Sequence, residues 1–468
     1  MKPEMLNRLR HGNPDDFAPP EVPSWRWRLL LPGISLGFLA AATALYTWAH
    51  PIYMSILTPL MLRPGATPFF DFEFLLTNAV CWRRGVNVYI SNPCDAMNRP
   101  MDYSPLWLRM DFLAVDRSWS IWFGLALAML FCFSLAFLVP RARWRDQLVI
   151  GLASISSVSL YALERGNNDI IMFVLAVAAG VILARPTALR LAGYGLLLTG
   201  SLLKFYPAAA LIVVARERLK ICMGLAVVSA AVILGFVSLY HGELLVALKN
   251  IPRGGYFWDT NGARQLPGGI GTVLHPILVQ VVGAGSYSGL AASRSLIYLT
   301  ALTLMVSLCG FVVWMTRSRE YRGFVAGLPA RYATLFQIGA ALIVGIFFTG
   351  ESVSYRAIML LLVLPALILL DSSKVCRSLR LLSRSTVIII LLVMFRLVPI
   401  GVLVNYDLNI NNSAIAALIW IGFEVAWWWI VTVLLALLIS SLMESQAWRE
   451  ARLLVKSFSR AAGPFAVK

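Results

Sequence analysis

Residues 190–216 read RLAGYGLLLTGSLLKFYPAAALIVVAR, an apolar run with an arginine at each end and Lys204-Phe-Tyr-Pro207 in its middle. Proline interrupts a helix, and a lysine inside an apolar run needs water, an acid or an anion. The 13 residues before Lys204 extend about 20 Å as helix and the 8 after Pro207 about 12 Å, each short of a bilayer core of about 30 Å. Arg190 on one side, and Arg216, Arg218 and Lys220 on the other, place both ends in the cytoplasm. The stretch therefore predicts a hairpin of two short helices with Lys204 at its tip. A backbone break at membrane depth persists only where protein buries it or where it lines a cavity.

The rest of the chain suits such a setting. Its 468 residues are 59% hydrophobic and 13% charged, which is a membrane composition. Apolar runs of spanning length fall near 29–49, 118–139, 148–163, 169–184, 221–240, 294–314, 329–349, 357–370, 386–404 and 414–440. With the N-terminus in the cytoplasm and each run crossing, 26 of the 40 Lys and Arg fall on the inner side, which carries +16 against +1 outside. The net charge of +17 is thus a topology signal and argues against a nucleic-acid partner. The fold expected is an all-α polytopic membrane protein of about 12 membrane helices, counting the broken pair as two. Residues 1–28 form a cytoplasmic N-terminal tail, without a cleavable signal peptide, and 442–468 a cytoplasmic C-terminal tail. One membrane domain, 29–441, lies between them, with outer loop one at 50–117 and outer loop two at 241–293.

The polar residues of the outer face are the functional candidates. Outer loop one opens on Thr67-Pro-Phe-Phe-Asp71-Phe-Glu73-Phe-Leu75, two carboxylates among four phenylalanines. A carboxylate in so apolar a setting is paired, hydrated or used. Asp71 is the candidate general base, with Glu73 beside it; the plain alternative is a helix start at 71–82 with Asp71 as its cap and Glu73 as a first-turn acid. Cys81 and Cys94 share this loop and are expected to form a disulfide in an oxidising compartment. Glu164-Arg-Gly-Asn167-Asn168-Asp169 is a tight turn whose polar groups suit either helix capping or a sugar. Lys204 is a cation at a helix break and Arg356 one at the outer membrane boundary, where snorkelling is the plain alternative; both suit a phosphate. Tyr103, Tyr206, Trp258, Asn261 and Tyr355 add aromatic faces and amides for a carbohydrate. His275 precedes a proline and reads as structural or as a site residue. Arg396 and Glu424 lie at matching depths of neighbouring spans and are expected to pair. No Cys or His cluster has metal-ligand spacing.

In this order, Phe70-Asp71-Phe72, Gly85-Val-Asn-Val-Tyr89, Tyr103-Ser-Pro105, Gly166-Asn-Asn-Asp169, Lys204-Phe-Tyr-Pro207 and Tyr355-Arg356 resemble the motifs of the GT-C glycosyltransferases, and most of all glycosyltransferase family 87. The resemblance covers about 65–360. Glu164-Arg165 departs from the glutamine associated with that turn. It implies transfer of a mannose-like hexose or arabinose from a polyprenyl-phosphate donor to a lipid or glycan hydroxyl, with inversion. It places the site on the periplasmic side of a bacterial inner membrane. Asp71 would be the base, and Lys204 and Arg356 would hold the phosphate. Beyond the lipid-linked donor and the surrounding lipids, no cofactor or metal is implied. A transporter or lipid flippase would also use a broken helix and membrane charges, although no internal repeat is visible. A lipid-diphosphate glycan polymerase or ligase would draw on His275.

Overall fold

The computed structural model describes residues 24–58, 67–113, 116–185, 189–251, 260–282, 286–349, 352–371, 377–408 and 413–461. Helices α1 (Trp25–Trp48) and α2 (His50–Leu57) lead into the first loop, which holds α3 (Phe70–Arg83) and a 3-10 helix, Pro105–Leu113. Then come α4 (Ser120–Ser134), α5 (Trp144–Ser154), α6 (Ser157–Arg165), α7 (Asp169–Leu183), α8 (Arg190–Leu203) and the 3-10 helix Tyr206–Arg216. Helices α9 (Leu219–Leu239), α10 (His241–Asn250), α11 (Gln265–Val282), α12 (Ser286–Arg317), α13 (Arg319–Ala326) and α14 (Ala330–Thr349) follow. The chain closes with the 3-10 helix Ser354–Leu362, α15 (Leu364–Asp371), α16 (Arg377–Met394), α17 (Leu397–Asn405), α18 (Ala414–Met443) and α19 (Gln446–Ala461).

The fold is an all-α, multi-pass membrane architecture. Among the described residues seven helices are long and apolar enough to cross a bilayer, and nine if each of two bent pairs counts as one span. The bends are local. The run 148–163 breaks between α5 and α6 by 50°, where Ser156 caps α6 by accepting from the Ser159 amide. The run 357–370 bends by 52° where the 3-10 turns give way to α15. The run 190–216 also reverses at Lys204. Arg190 at its start lies 3.2 Å from Glu217 just past its end, and Tyr194 donates to the same carboxylate at 2.9 Å. The two short helices therefore fold back on each other.

Helix α14 is the hub, packed by α7, α18 and the 3-10 helices Tyr206–Arg216 and Ser354–Leu362. Close approach needs small residues: a Cβ on Gly339 would lie 2.6 Å from the Leu362 Cβ. Helix α9, by contrast, buries none of its residues and leaves its apolar surface to lipid. A two-residue antiparallel ladder joins Thr260–Asn261 to Ser352–Val353. It ties the second outer loop to the turn that carries Tyr355 and Arg356.

Two covalent or ionic ties lie apart from the hub. Cys81 and Cys94 are bonded, with Cα atoms 5.9 Å apart. Their separation of 13 residues makes a small ring, for which chain-entropy arguments give about 3 kcal/mol. Replacing both by serine is expected to lower stability by about 2–3 kcal/mol, read as a lower midpoint in a melt of the detergent-solubilised protein. Equal midpoints would contradict it. Arg396, between α16 and α17, and Glu424 of α18 are fully buried with Nη2 and Oε1 3.5 Å apart.

Candidate active site

The site is assembled on the first turn of α3. Phe69 precedes that helix in the left-handed region, with φ 63°, a conformation disfavoured for a side chain of its size. Its surroundings hold it there. The Phe69 amide donates to the Glu164 carbonyl at 2.7 Å, and its ring fills the space over Gly124 and Gly166. A Cβ on Gly166 would lie 2.8 Å from that of Phe69, and Gly166 itself has φ 58°, so the turn after α6 needs glycine twice over. Sequence positions almost a hundred residues apart are thereby clamped together.

Asp71 does not cap α3; it lies one residue inside the helix and turns toward α6. Arg165 donates to both its oxygens, Nε at 2.9 Å and Nη2 at 2.5 Å, and Asn167 Nδ2 donates at 2.7 Å. Arg99 Nη1 stands 3.6 Å away while its other donors hold Asp95. The phenylalanines serve the cations. The Phe70 ring carries the Arg99 guanidinium at 4.2 Å and that of Arg165 at 5.9 Å, and Phe74 carries Arg99 at 4.4 Å.

A second cluster adjoins the first through the same turn. Asp169 heads α7 without capping it; the Asp169 amide instead donates to Asn167 Oδ1 at 3.0 Å. Its carboxylate meets Lys204 Nζ at 2.7 Å, accepts from the Tyr206 hydroxyl at 2.6 Å and lies 3.6 Å from Arg356 Nε. Lys204 also donates to Asn168 Oδ1 at 2.5 Å. Tyr103 and Tyr206 flank the ammonium, at 5.3 and 5.8 Å from their ring centres, and Tyr355 packs on Tyr161. In this cluster Arg356 Nε and Asn168 Nδ2 are buried donors without a hydrogen-bond partner among the described residues.

Three residues that the sequence reading passed over belong here. Arg165 is the main partner of Asp71, Arg99 is a second, and Asp102 carries charge into the same field. Burial pushes the Asp102 carboxyl up to about 6, Lys204 and Arg356 pull it down, and Asp71 adds to the rise.

The candidate Glu73 is separated from this cluster. Two residues along a helix is a turn of about 200°, so Asp71 and Glu73 emerge on opposite faces. Glu73 pairs with Arg117 at 2.7 Å, accepts from Thr67 at 2.5 Å and lines a separate cavity of about 740 Å³ with Arg84, Asp116 and the disulfide. A cavity of about 390 Å³ lies on the other side of Phe69, walled by Phe38, Tyr46, Tyr53, Ile121 and Leu160, with Glu164 at one edge. It is almost wholly apolar. Asn261 is buried in the two-residue ladder near Tyr355. Trp258 lies outside the described residues; His275 falls within α11, and its side chain is likewise outside them.

Comparison with protein-family models, curated proteins and solved structures gives no match to this chain. The family resemblance is therefore carried by the quoted motifs alone, and the geometry has to bear the functional argument.

Proposed function

We propose that this protein is a membrane glycosyltransferase of GT-C type, with the broken helix pair among about 12 membrane helices. It moves a mannose-like hexose or arabinose from a polyprenyl-phosphate donor to a hydroxyl of a lipid or glycan. The observation that carries the reading is the pairing of Asp71 with Arg165 and Arg99, next to a second cluster in which Lys204 and Arg356 meet Asp169 and in which Arg356 Nε and Asn168 Nδ2 lack a hydrogen bond among the described residues. A carboxylate beside fixed positive charge is what a phosphate leaving group and an attacking hydroxyl together require. The apolar cavity behind Phe69 offers room for part of an isoprenoid chain next to that charge. The charge count along the sequence favours the outer face of the membrane for this site, with both termini cytoplasmic, and the resemblance implies the periplasmic face of a bacterial inner membrane.

In this scheme the acceptor oxygen attacks the anomeric carbon opposite the phosphate, and the sugar–phosphate C–O bond breaks as the new C–O bond forms. Asp71 takes the hydroxyl proton, and polyprenyl phosphate leaves. Both Asp71 oxygens accept from Arg165, and one also from Asn167. An arriving phosphate competes for Arg165 and Arg99 and frees a lone pair on Asp71. Lys204 is neutralised by Asp169 and mainly holds Asn168 and Asp169 in place; Arg356 is the looser cation, with a 3.6 Å contact and an unpartnered Nε. Arg356→Ala is therefore expected to weaken donor binding by about 10–100-fold, a charged hydrogen bond being worth about 1.5–3 kcal/mol. Titration of purified protein with a polyprenyl-phosphate sugar reads this, and equal affinity would remove Arg356 from the phosphate. A lipid flippase remains the second reading, on the strength of the lysine at the helix break. It is distinguished by movement of the lipid without transfer of its sugar.

A further inference from the structure

One acid in this site has no place in the scheme above. Asp102 sits on a segment pinned on both sides. The Met101 amide donates to the Val88 carbonyl at 2.9 Å, and the Met101 carbonyl accepts from Asn250 at 3.0 Å. The Trp107 indole donates to the Leu203 carbonyl at 3.0 Å, directly before Lys204. The chain on either side of Asp102 is thus held, and its Oδ1 is buried without a hydrogen bond among the described residues. An ionised carboxylate only accepts, so an unpaired buried oxygen is costly; a neutral acid carries an O–H that can donate.

Asp71 from α3, Lys204 from the break after α8, and Arg356 from the 3-10 helix Ser354–Leu362 act electrostatically on Asp102, and Asp102 acts on the phenol of the adjacent Tyr103. Asp71 is held by Arg165 and Arg99, and Lys204 by Asp169. Arg356 is the looser cation assigned above to the donor phosphate. An ionised Asp102 would compete with that phosphate for Arg356 and repel it.

We propose that Asp102 binds the donor's phosphodiester as a neutral carboxylic acid, its O–H donated to a non-bridging oxygen, so that donor binding takes up a proton at this residue. This rests on the glycosyl-transfer reading of the site. As the sugar departs, the phosphate gains charge and the same hydrogen bond strengthens, which favours the leaving group. With the carboxyl at about 6 in the free protein, most of the population near neutral pH must gain the proton to bind. Affinity is therefore full below about pH 6 and is lost above it.

The test uses the full chain in phosphatidylcholine nanodiscs and a short-chain polyprenyl-phosphate mannose as probe. A phosphodiester has no second proton to lose, unlike a phosphomonoester with its second pKa near 6, so the pH dependence belongs to the protein. The Kd is expected to be flat below about pH 6 and to rise about tenfold per pH unit above it. In Asp102→Asn, which keeps the shape and a donor, the Kd should be tight and independent of pH. Calorimetry of the wild type at pH 7 in two buffers of different ionisation enthalpy should show uptake approaching one proton, whether or not the variant folds. A wild-type Kd without slope and without proton uptake overturns the inference, as does the same slope in Asp102→Asn. Displacement of the probe by added phosphatidylglycerol would make this a headgroup site and overturns it too. Absence of probe binding at every pH overturns the lipid-phosphate reading itself.

Discussion

Sugar turnover is expected to fall by a factor of about 10²–10⁴ in Asp71→Asn, with the protein still folded, because a positioned general base contributes about that much. The two halves of this expectation have separate physical grounds. Asparagine fits the same space beside Phe69 and Gly166, but its amide cannot take the acceptor's proton. The fold survives because neither cation is stranded. Arg99 keeps its paired contacts with Asp95 at 3.0 and 2.8 Å, and Arg165 keeps 22% of its side-chain surface open to water. A large loss of turnover with an unchanged melting midpoint therefore reports chemistry. A joint loss of both would assign Asp71 to holding α3 and α6 together.

The second large effect is on stability. Removing Arg396 alone is expected to cost about 3–5 kcal/mol, since it leaves Glu424 buried without its cation. Both side chains are 0% exposed, so water cannot take the place of either partner. Glu424 Oε2 already lacks a hydrogen bond, and the contact through Oε1 is 3.5 Å. Such a pair is costly to break by halves and cheap to replace whole. Arg396→Met with Glu424→Leu should recover most of the loss, whereas Arg396→Met alone should not. Thermal melts of the four proteins of this cycle decide it. Additive effects would mean that the two charges do not interact.

How far the sequence reached can be judged from particular residues. Polar side chains inside apolar runs announce themselves, because lipid tolerates them only with a reason. That is how Lys204, Arg396 and Glu424 were legible, and why the reversal at Lys204 could be expected from the arginines at both ends. The bend between α5 and α6 was less visible. Ile155-Ser156-Ser157 reads as part of one short apolar run until Ser156 is seen capping a new helix.

Partnership was the harder question. Arg165 read as a departure from a motif, yet it carries the closest charge contact to Asp71. The two are 94 residues apart, and only the packing of Phe69 against the Gly166 turn brings them together. Arg99 and Asp102 looked like ordinary residues of a polar loop. Asp102 directly precedes Tyr103-Ser-Pro105, which was the one available signal. Glu73 was grouped with Asp71 by proximity in sequence, although two residues along a helix put them on opposite faces.

The most direct test of the central claim is transfer of labelled sugar from a panel of polyprenyl-phosphate sugars to membrane acceptors, with wild type and Asp71→Asn in identical membranes. The account predicts turnover with at least one donor in wild type and its loss in Asp71→Asn. Undiminished turnover in Asp71→Asn, or no turnover with any donor while the protein moves those lipids across the bilayer, would contradict it.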